Sequence, residues 1–207
     1  MQKGLTGRAV ESEGLMSRTE PGEKVAEIRV HPVRANLAAV PPAAITILFL
    51  LRLAAWLNPA DDGGLWSFLA ALLLFFPLVA VHEFLHGLTA VVVGGLRWQD
   101  IRFSMAWKAL APMCHIKAPL RVQAARIVGL APLAGTVPPI LVLLFVSPSE
   151  MTALLAGLVL VGCFADVYMV YRLREFDASM WVVDHPTEAG FDIYAGRPAS
   201  LDGQTAS

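Results

Sequence analysis

The chain has 207 residues, 56% of them Ala, Val, Ile, Leu, Met, Phe, Trp, Tyr or Cys, and a mean hydropathy of +0.59. Only 16% are Asp, Glu, Lys or Arg, against about 25% in an ordinary soluble domain, so the composition is that of an integral membrane protein. A net charge of -1 offers no basic surface for nucleic acid, and the two cysteines, Cys114 and Cys163, are too few for a disulfide framework.

The first 36 residues are polar and mixed in charge, with no short apolar core followed by an A-x-A site. A cleaved signal peptide is therefore not expected, and the first apolar span should remain as an anchor. Residues 1–23 and 195–207 read as disordered tails around a single membrane-embedded domain, 24–194. Four segments reach the roughly 20 apolar residues that a membrane helix needs: about Leu37 to Leu57, Leu65 to Val93, Ile127 to Val146 and Met151 to Tyr171. The connectors 58–64 (NPADDGG) and 147–150 (SPSE) hold no Lys or Arg. The N-terminal segment, the connector after the second span (with Arg97, Arg102, Lys108, Lys117, Arg121 and Arg126) and the tail after Arg172 are basic. The positive-inside rule then places both termini and the long connector in the cytoplasm of a multi-pass cell-membrane protein. Arg52, near the outer end of the first span, is expected to snorkel to the interface, with a role in the site as the alternative.

Within the second span, His82, Glu83 and His86 are the only ionisable side chains, and they form H-E-x-x-H. Residues four apart share a helical face, so His82 and His86 can present two imidazoles to one metal ion. Ionisable groups at membrane depth are costly and mark function. Pro77 before the motif, and Pro132, Gly135, Pro138 and Pro139 in the third span, are expected to kink their helices, either as ordinary proline use or to admit water and peptide. A catalytic zinc site usually takes a third protein ligand. Asp166 is the only acidic residue within the fourth span, and counting back from the span ends puts it within about 3 Å of the depth of His86. One zinc ion per chain held by His82, His86 and Asp166 is the expectation, with a structural carboxylate paired to a tyrosine or to Arg52 as the alternative for Asp166. Glu83, about 100° around the helix from His82, is placed to act as general base.

Leu96 to Trp107 carries Ile101, Phe103, Met105 and Trp107 at period two and reads as a strand, or as half of a hairpin, at the cytoplasmic face. Lys24 to Val33 and Met180 to Tyr194 add strand-like pieces that could complete a small sheet. An exposed edge there could capture an unfolded substrate; the alternative is a strand resting on the interface with its tryptophans as anchors. In the same connector, Cys114 and His115 could contact substrate, stabilise an oxyanion or cap the metal, or be a pair of surface loop residues. Cys163 reads as helix packing. The expected fold class is an all-α polytopic membrane protein of four transmembrane helices, with a small β-hairpin or sheet on the cytoplasmic side.

HEFLHG at His82 to Gly87, MCHIKAPLRVQAARIVGLAP at Met113 to Pro132, GCFADVYMVYRL at Gly162 to Leu173 and DHPTEAGF at Asp184 to Phe191 resemble the DUF3267 family of zincin peptidases. These are small membrane proteins related to the site-2 protease group of intramembrane metalloproteases, and the resemblance spans about residues 28–194. It implies His82, His86 and Asp166 as zinc ligands and Glu83 as catalytic base. Asp166 lies in FADVY, without the N-P-D-G or L-D-G context usual in site-2 proteases, so the likeness is closer to the smaller family. The expected function is a zinc-dependent intramembrane endopeptidase acting on membrane-embedded or membrane-proximal peptides near the cytoplasmic face, with membrane lipid and a peptide or membrane-protein substrate as partners. The alternatives are a non-catalytic membrane protein with a structural or sensing metal site, and an ion-transport accessory, which gives Glu83 no special role.

Overall fold

A segment crossing a hydrocarbon layer must satisfy its backbone polar groups internally, so apolar runs of this length fold as helices. A computed structural model describes residues 22–29, 32–106, 111–185 and 190–198, apart from the side chains of residues 32–38, 106 and 111. Strand β1 (Lys24–Arg29) precedes helix α1 (Pro32–Leu57). Helix α2 (Leu65–Val92) is followed by a 3-10 turn (Trp98–Asp100) and strands β2 (Ile101–Ala106), β3 (Ala111–Ile116) and β4 (Leu120–Arg121). Then come α3 (Val122–Val146), α4 (Glu150–Gly162), α5 (Phe164–Leu173), β5 (Trp181–Asp184) and β6 (Gly190–Tyr194). Among the described residues, four helical stretches are long and apolar enough to cross a membrane: Ala39–Leu57, Leu65–Val92, Val122–Val146 and the α4–α5 pair, Glu150–Leu173.

The exterior agrees with that reading. Trp66, Leu73, Phe76, Val142 and Phe145 all point outward and are largely exposed. Water would not tolerate so continuous an apolar surface, whereas lipid makes it the favoured one. Inside, α1 packs mainly on α4, and α2 on both α3 and α4. Leu50, Ala54, Leu144, Ala156 and Val159 form the buried centre. Without a hydrophobic force between helices in lipid, close approach depends on small residues. A Cβ at Gly157 would lie 2.8 Å from Ile47 Cγ1 of α1, and one at Gly135 would lie 2.7 Å from Leu85 of α2.

The two ends of the bundle differ in chemistry. At the end whose connectors hold no Lys or Arg, residues 58–64 and 147–149 are tied together. The Glu150 N–H donates to Asp61 Oδ2 (2.6 Å), the Gly64 N–H to Glu150 Oε2 (2.5 Å) and Asn58 Nδ2 to Pro148 O (3.1 Å). Ser149 caps α4 by accepting from the Thr152 N–H (3.2 Å), supplying one of the bonds that a helix start lacks. At the other end lie two sheets. β2 and β3 form an antiparallel hairpin with Phe103 opposite Cys114 and Ile101 opposite Ile116. A four-stranded antiparallel sheet has the order β1-β6-β5-β4 and closes on the ends of α3 and α5 through Ile28, Val122, Leu173, Met180 and Ile193.

The hairpin and the second small sheet agree with the periodicity, and "all-α" is too narrow, since the described residues hold six strands. Several boundaries differ. The third span starts at Val122 rather than 127 because Arg126 is absorbed: its guanidinium donates to Leu173 O (2.9 Å) and Phe176 O (2.7 Å) at the end of α5. Trp98 sits in the 3-10 turn, where Asp100 Oδ2 accepts from the Arg97 N–H (2.9 Å), and the strand begins only at Ile101. The fourth span is two helices broken at Cys163, while α2 and α3 run on through their prolines. Arg52 is exposed on α1. Most of the residues expected to be disordered, 1–21 and 199–207, lie outside the described ones. At the inner edges of those tails, the Ala195 N–H donates to Glu23 O (3.1 Å).

Replacing Gly157 by Leu should force α1 off α4, at a cost of about 1–3 kcal/mol. Thermal unfolding in detergent would register it as a lowered midpoint. A Cβ at Gly162 meets nothing within 4 Å, so Gly162→Ala should leave the midpoint unchanged or raise it.

Candidate metal centre

The i, i+4 spacing on α2 puts the His82 and His86 rings 5.0 Å apart between centroids, nearly edge to face at 79°. Asp166, in the first turn of α5, faces them. His82 Nε2 lies 3.0 Å from Asp166 Oδ2 and His86 Nε2 lies 3.4 Å from Asp166 Oδ1. One ligand atom from each of the three residues falls within 4.8 Å of the others. Tetrahedral zinc with ligand bonds near 2.0–2.1 Å separates neighbouring donor atoms by about 3.3 Å. The His-to-carboxylate spacings suit such an ion.

Tautomer chemistry sharpens the fit. His86 Nδ1 lies 2.9 Å from the Val128 carbonyl of α3. A carbonyl can only accept, so Nδ1 carries the hydrogen and a neutral His86 turns the lone pair of Nε2 toward Asp166. In that form an acceptor faces an acceptor, an arrangement that a cation held between them satisfies. Asp166 Oδ2 is moreover buried, with His82 Nε2 3.0 Å away and no well-directed hydrogen bond among the described atoms. A divalent cation answers all three groups at once.

The Val128 carbonyl is available for a reason legible in the chain. In a helix it would accept from the N–H of residue 132, and Pro132 has none. The proline thus leaves an acceptor on α3 that orients His86 on α2. On the other ligand, Cys163 Sγ lies 3.9 Å from His82 Nδ1. Cys163, read from the sequence as packing, is a buried neighbour of the histidine at the break before Asp166.

Glu83 is held from the sheet end of the bundle. Its Oε2 accepts the backbone N–H of Cys114 on β3 at 2.6 Å. The hairpin comes this close because the residue after HEFLH is glycine. A Cβ at Gly87 would lie 2.9 Å from Phe103 Cζ, 3.0 Å from Ile101 Cγ2 and 3.5 Å from Cys114 Sγ. Cys114 therefore meets the motif through its backbone N–H, and its side chain packs on α2. Burial pushes its thiol up to about 12, reinforced by the Glu83 and Asp184 carboxylates. His115 turns elsewhere, its Nδ1 3.5 Å from Asp184 Oδ2 on β5. Arg52 does not pair with Asp166, whose oxygens face the two histidines. On the N-terminal side of the motif, α2 and α3, with Leu155 of α4, line an open apolar groove of about 520 Å³ that includes Leu78, Val81, Gly135, Thr136 and Pro139.

Residues 75–181, more than half of the chain, match the model of the DUF3267 family, described as "Putative zincin peptidase". The chain belongs to this family. Searches of the curated proteins and of the solved structures return no match. The matched segment of this DUF3267 member contains His82, Glu83, His86, Cys114, Pro132 and Asp166, and ends before Asp184. The family description suggests zinc as the cation for the His82–His86–Asp166 group.

Two outcomes are expected. Pro132→Ala supplies the missing N–H to Val128 O and should lower zinc affinity about tenfold, as loss of a ligand's supporting hydrogen bond typically does. Chelator competition measures this, and thermal stability should not fall with it, since alanine suits a helix better than proline. Only a thiolate alkylates. Cys114 should therefore react slowly with iodoacetamide at pH 8, its rate still climbing about tenfold per pH unit at pH 10, where an ordinary cysteine has levelled off.

Proposed function

We propose that the chain is a zinc-dependent intramembrane endopeptidase, hydrolysing peptide bonds of membrane-embedded or membrane-proximal substrates, in the manner of the site-2 proteases. The observation that carries this reading is the meeting of His82 Nε2, His86 Nε2 and Asp166 on helices of membrane length, beside a Glu83 carboxylate on the same helix that is not one of the three. The bundle end bearing the sheets holds Arg97, Arg102, Lys117, Arg121, Arg172 and Arg174. On the positive-inside rule it faces the cytoplasm, and with it both termini.

In this reading His82, His86 and Asp166 hold the zinc ion. Zinc, when bound, lowers the pKa of a coordinated water toward neutrality and polarises a peptide carbonyl. Glu83 has one oxygen, Oε2, fixed by the Cys114 N–H, which leaves Oε1 to take a proton from the attacking water. As the water oxygen bonds to the carbonyl carbon and the C–N bond breaks, the same oxygen returns that proton to the departing amine. The open apolar groove between α2 and α3, which runs from Val81 away from the motif, suits the apolar side chains of a peptide that extends from the site. A structural or sensing metal site would need the same three ligands but not Glu83, and the strand N–H aimed at Glu83 favours catalysis.

The deciding experiment compares purified wild type with Glu83→Gln for metal content and for cleavage of membrane peptides in lipid nanodiscs. Glu83→Gln should keep one zinc per chain and lose at least about a hundredfold in rate, the usual weight of a general base. Equal cleavage by the two proteins removes Glu83 from the chemistry, and wild type without zinc removes the site. His82→Ala should lose metal and activity together.

A further inference from the structure

The family-like tail segment DHPTEAGF begins with Asp184, which lies outside the matched residues and has no part in the chemistry above. Asp184 ends β5, in the sheet formed by β1, β6, β5 and β4, yet its carboxylate reaches the other sheet. Its Oδ2 accepts the backbone N–H of Ile116 on β3 at 2.8 Å and lies 3.5 Å from His115 Nδ1. Ile116 is two residues beyond Cys114. In a strand, N–H groups two apart point to the same side, and here both point away from β2. The free edge of β3 thus offers two N–H groups in succession, one to Glu83 of the membrane helix and the next to Asp184 of the sheet.

Among the described residues β2 and β3 pair only with one another, and a three-residue link joins β3 to β4, which pairs with β5. Their packing on α2 runs through Ile101, Ile116 and Phe103 around Gly87, contacts that resist separation but allow a strand to slide along its axis. A directed bond to a largely buried carboxylate sets the position along the strand, because a displaced N–H would leave that oxygen unpaired. We propose that Asp184 is a positioning residue for Glu83: by holding Ile116 it sets the place of β3, so that the Cys114 N–H fixes Glu83 Oε2 and leaves Oε1 to move the proton. The link to catalysis rests on the function proposed above, whereas the placing of β3 does not.

The test uses the full chain in nanodiscs with three variants: Asp184→Ala, which removes the acceptor; Asp184→Asn, which keeps a carbonyl oxygen for the Ile116 N–H but removes the charge; and Ile116→Pro, which removes the N–H from the other partner. Iodoacetamide labelling located at Cys114 by mass spectrometry reports β3 whether or not a substrate is known. Asp184→Ala and Ile116→Pro should label at least about ten times faster than wild type, and Asp184→Asn within about twofold of it. On a cleaved peptide, Asp184→Ala should lower kcat about tenfold with KM and zinc content unchanged, and Asp184→Asn should restore it. Wild-type labelling in both Asp184→Ala and Ile116→Pro overturns the proposal. So does an Asn variant as fast to label as the Ala variant, which would make charge rather than the hydrogen bond responsible, or zinc lost in step with kcat. Should Asp184→Ala fail to accumulate, Ile116→Pro and Asp184→Asn carry the same decision. If wild type cleaves no peptide, the functional reading fails, and labelling alone still decides whether Asp184 places β3.

Discussion

Two imidazoles and a carboxylate that face one another inside an apolar helix bundle constitute the constraint on which the rest of the structure depends. Each would be costly alone at this depth, and an imidazole nitrogen that carries its lone pair toward a carboxylate oxygen repels it unless a cation joins them. The surroundings prepare for that charge. His86 is turned by the Val128 carbonyl, His82 has the Cys163 sulfur behind it, and the buried Asp166 carboxylate faces the Nε2 atoms of both rings. A proline normally weakens a helix by deleting one bond. Pro132 converts that loss into an oriented acceptor for the neighbouring helix, so a local defect in α3 becomes support for a residue on α2.

The polar end of the bundle is bound to this centre by close approach. Gly87 lets the hairpin lie on α2 one residue after the motif, and Gly94 does the same for the connector: a Cβ there would sit 2.4 Å from Leu120 Cδ2. Through those gaps a strand edge reaches Glu83. The two-sheet arrangement therefore does more than cover the helix ends, because β3 stands between a membrane-helix carboxylate and a sheet carboxylate and bonds to both.

Much of this architecture was legible from the chain. Composition and four apolar runs indicate the spans, basic connectors distinguish the two ends, period-two alternation marks the hairpin, and H-E-x-x-H on one helical face marks the two histidines. What escaped detection shares a physical character. Arg126 looked like a connector residue because a charge ordinarily ends a span, and only the carbonyls of Leu173 and Phe176 make it admissible inside α3. Trp98 lies within the Leu96 to Trp107 stretch that reads as a strand, and the Arg97 N–H donated to the Asp100 carboxylate holds a 3-10 turn there instead. Cys163 looked like packing because nothing near it in sequence is a partner. The tail motif at Asp184 stood out as a pattern without a purpose.

The sequence by itself determined which segments are apolar, which way each helical face or strand alternates and which residue types could bind a metal, because hydropathy and periodicity depend on neighbours along the chain. Only the tertiary structure decided which groups meet. His86 against Val128, His82 against Cys163 and Asp166, Glu83 against Cys114, and Ile116 against Asp184 all join different elements. Hydrogen bonds and metal ligation are directional and act within a few ångströms, so their partners are set by how helices and sheets pack, at glycines and prolines whose meaning appears only once the neighbouring element is in place.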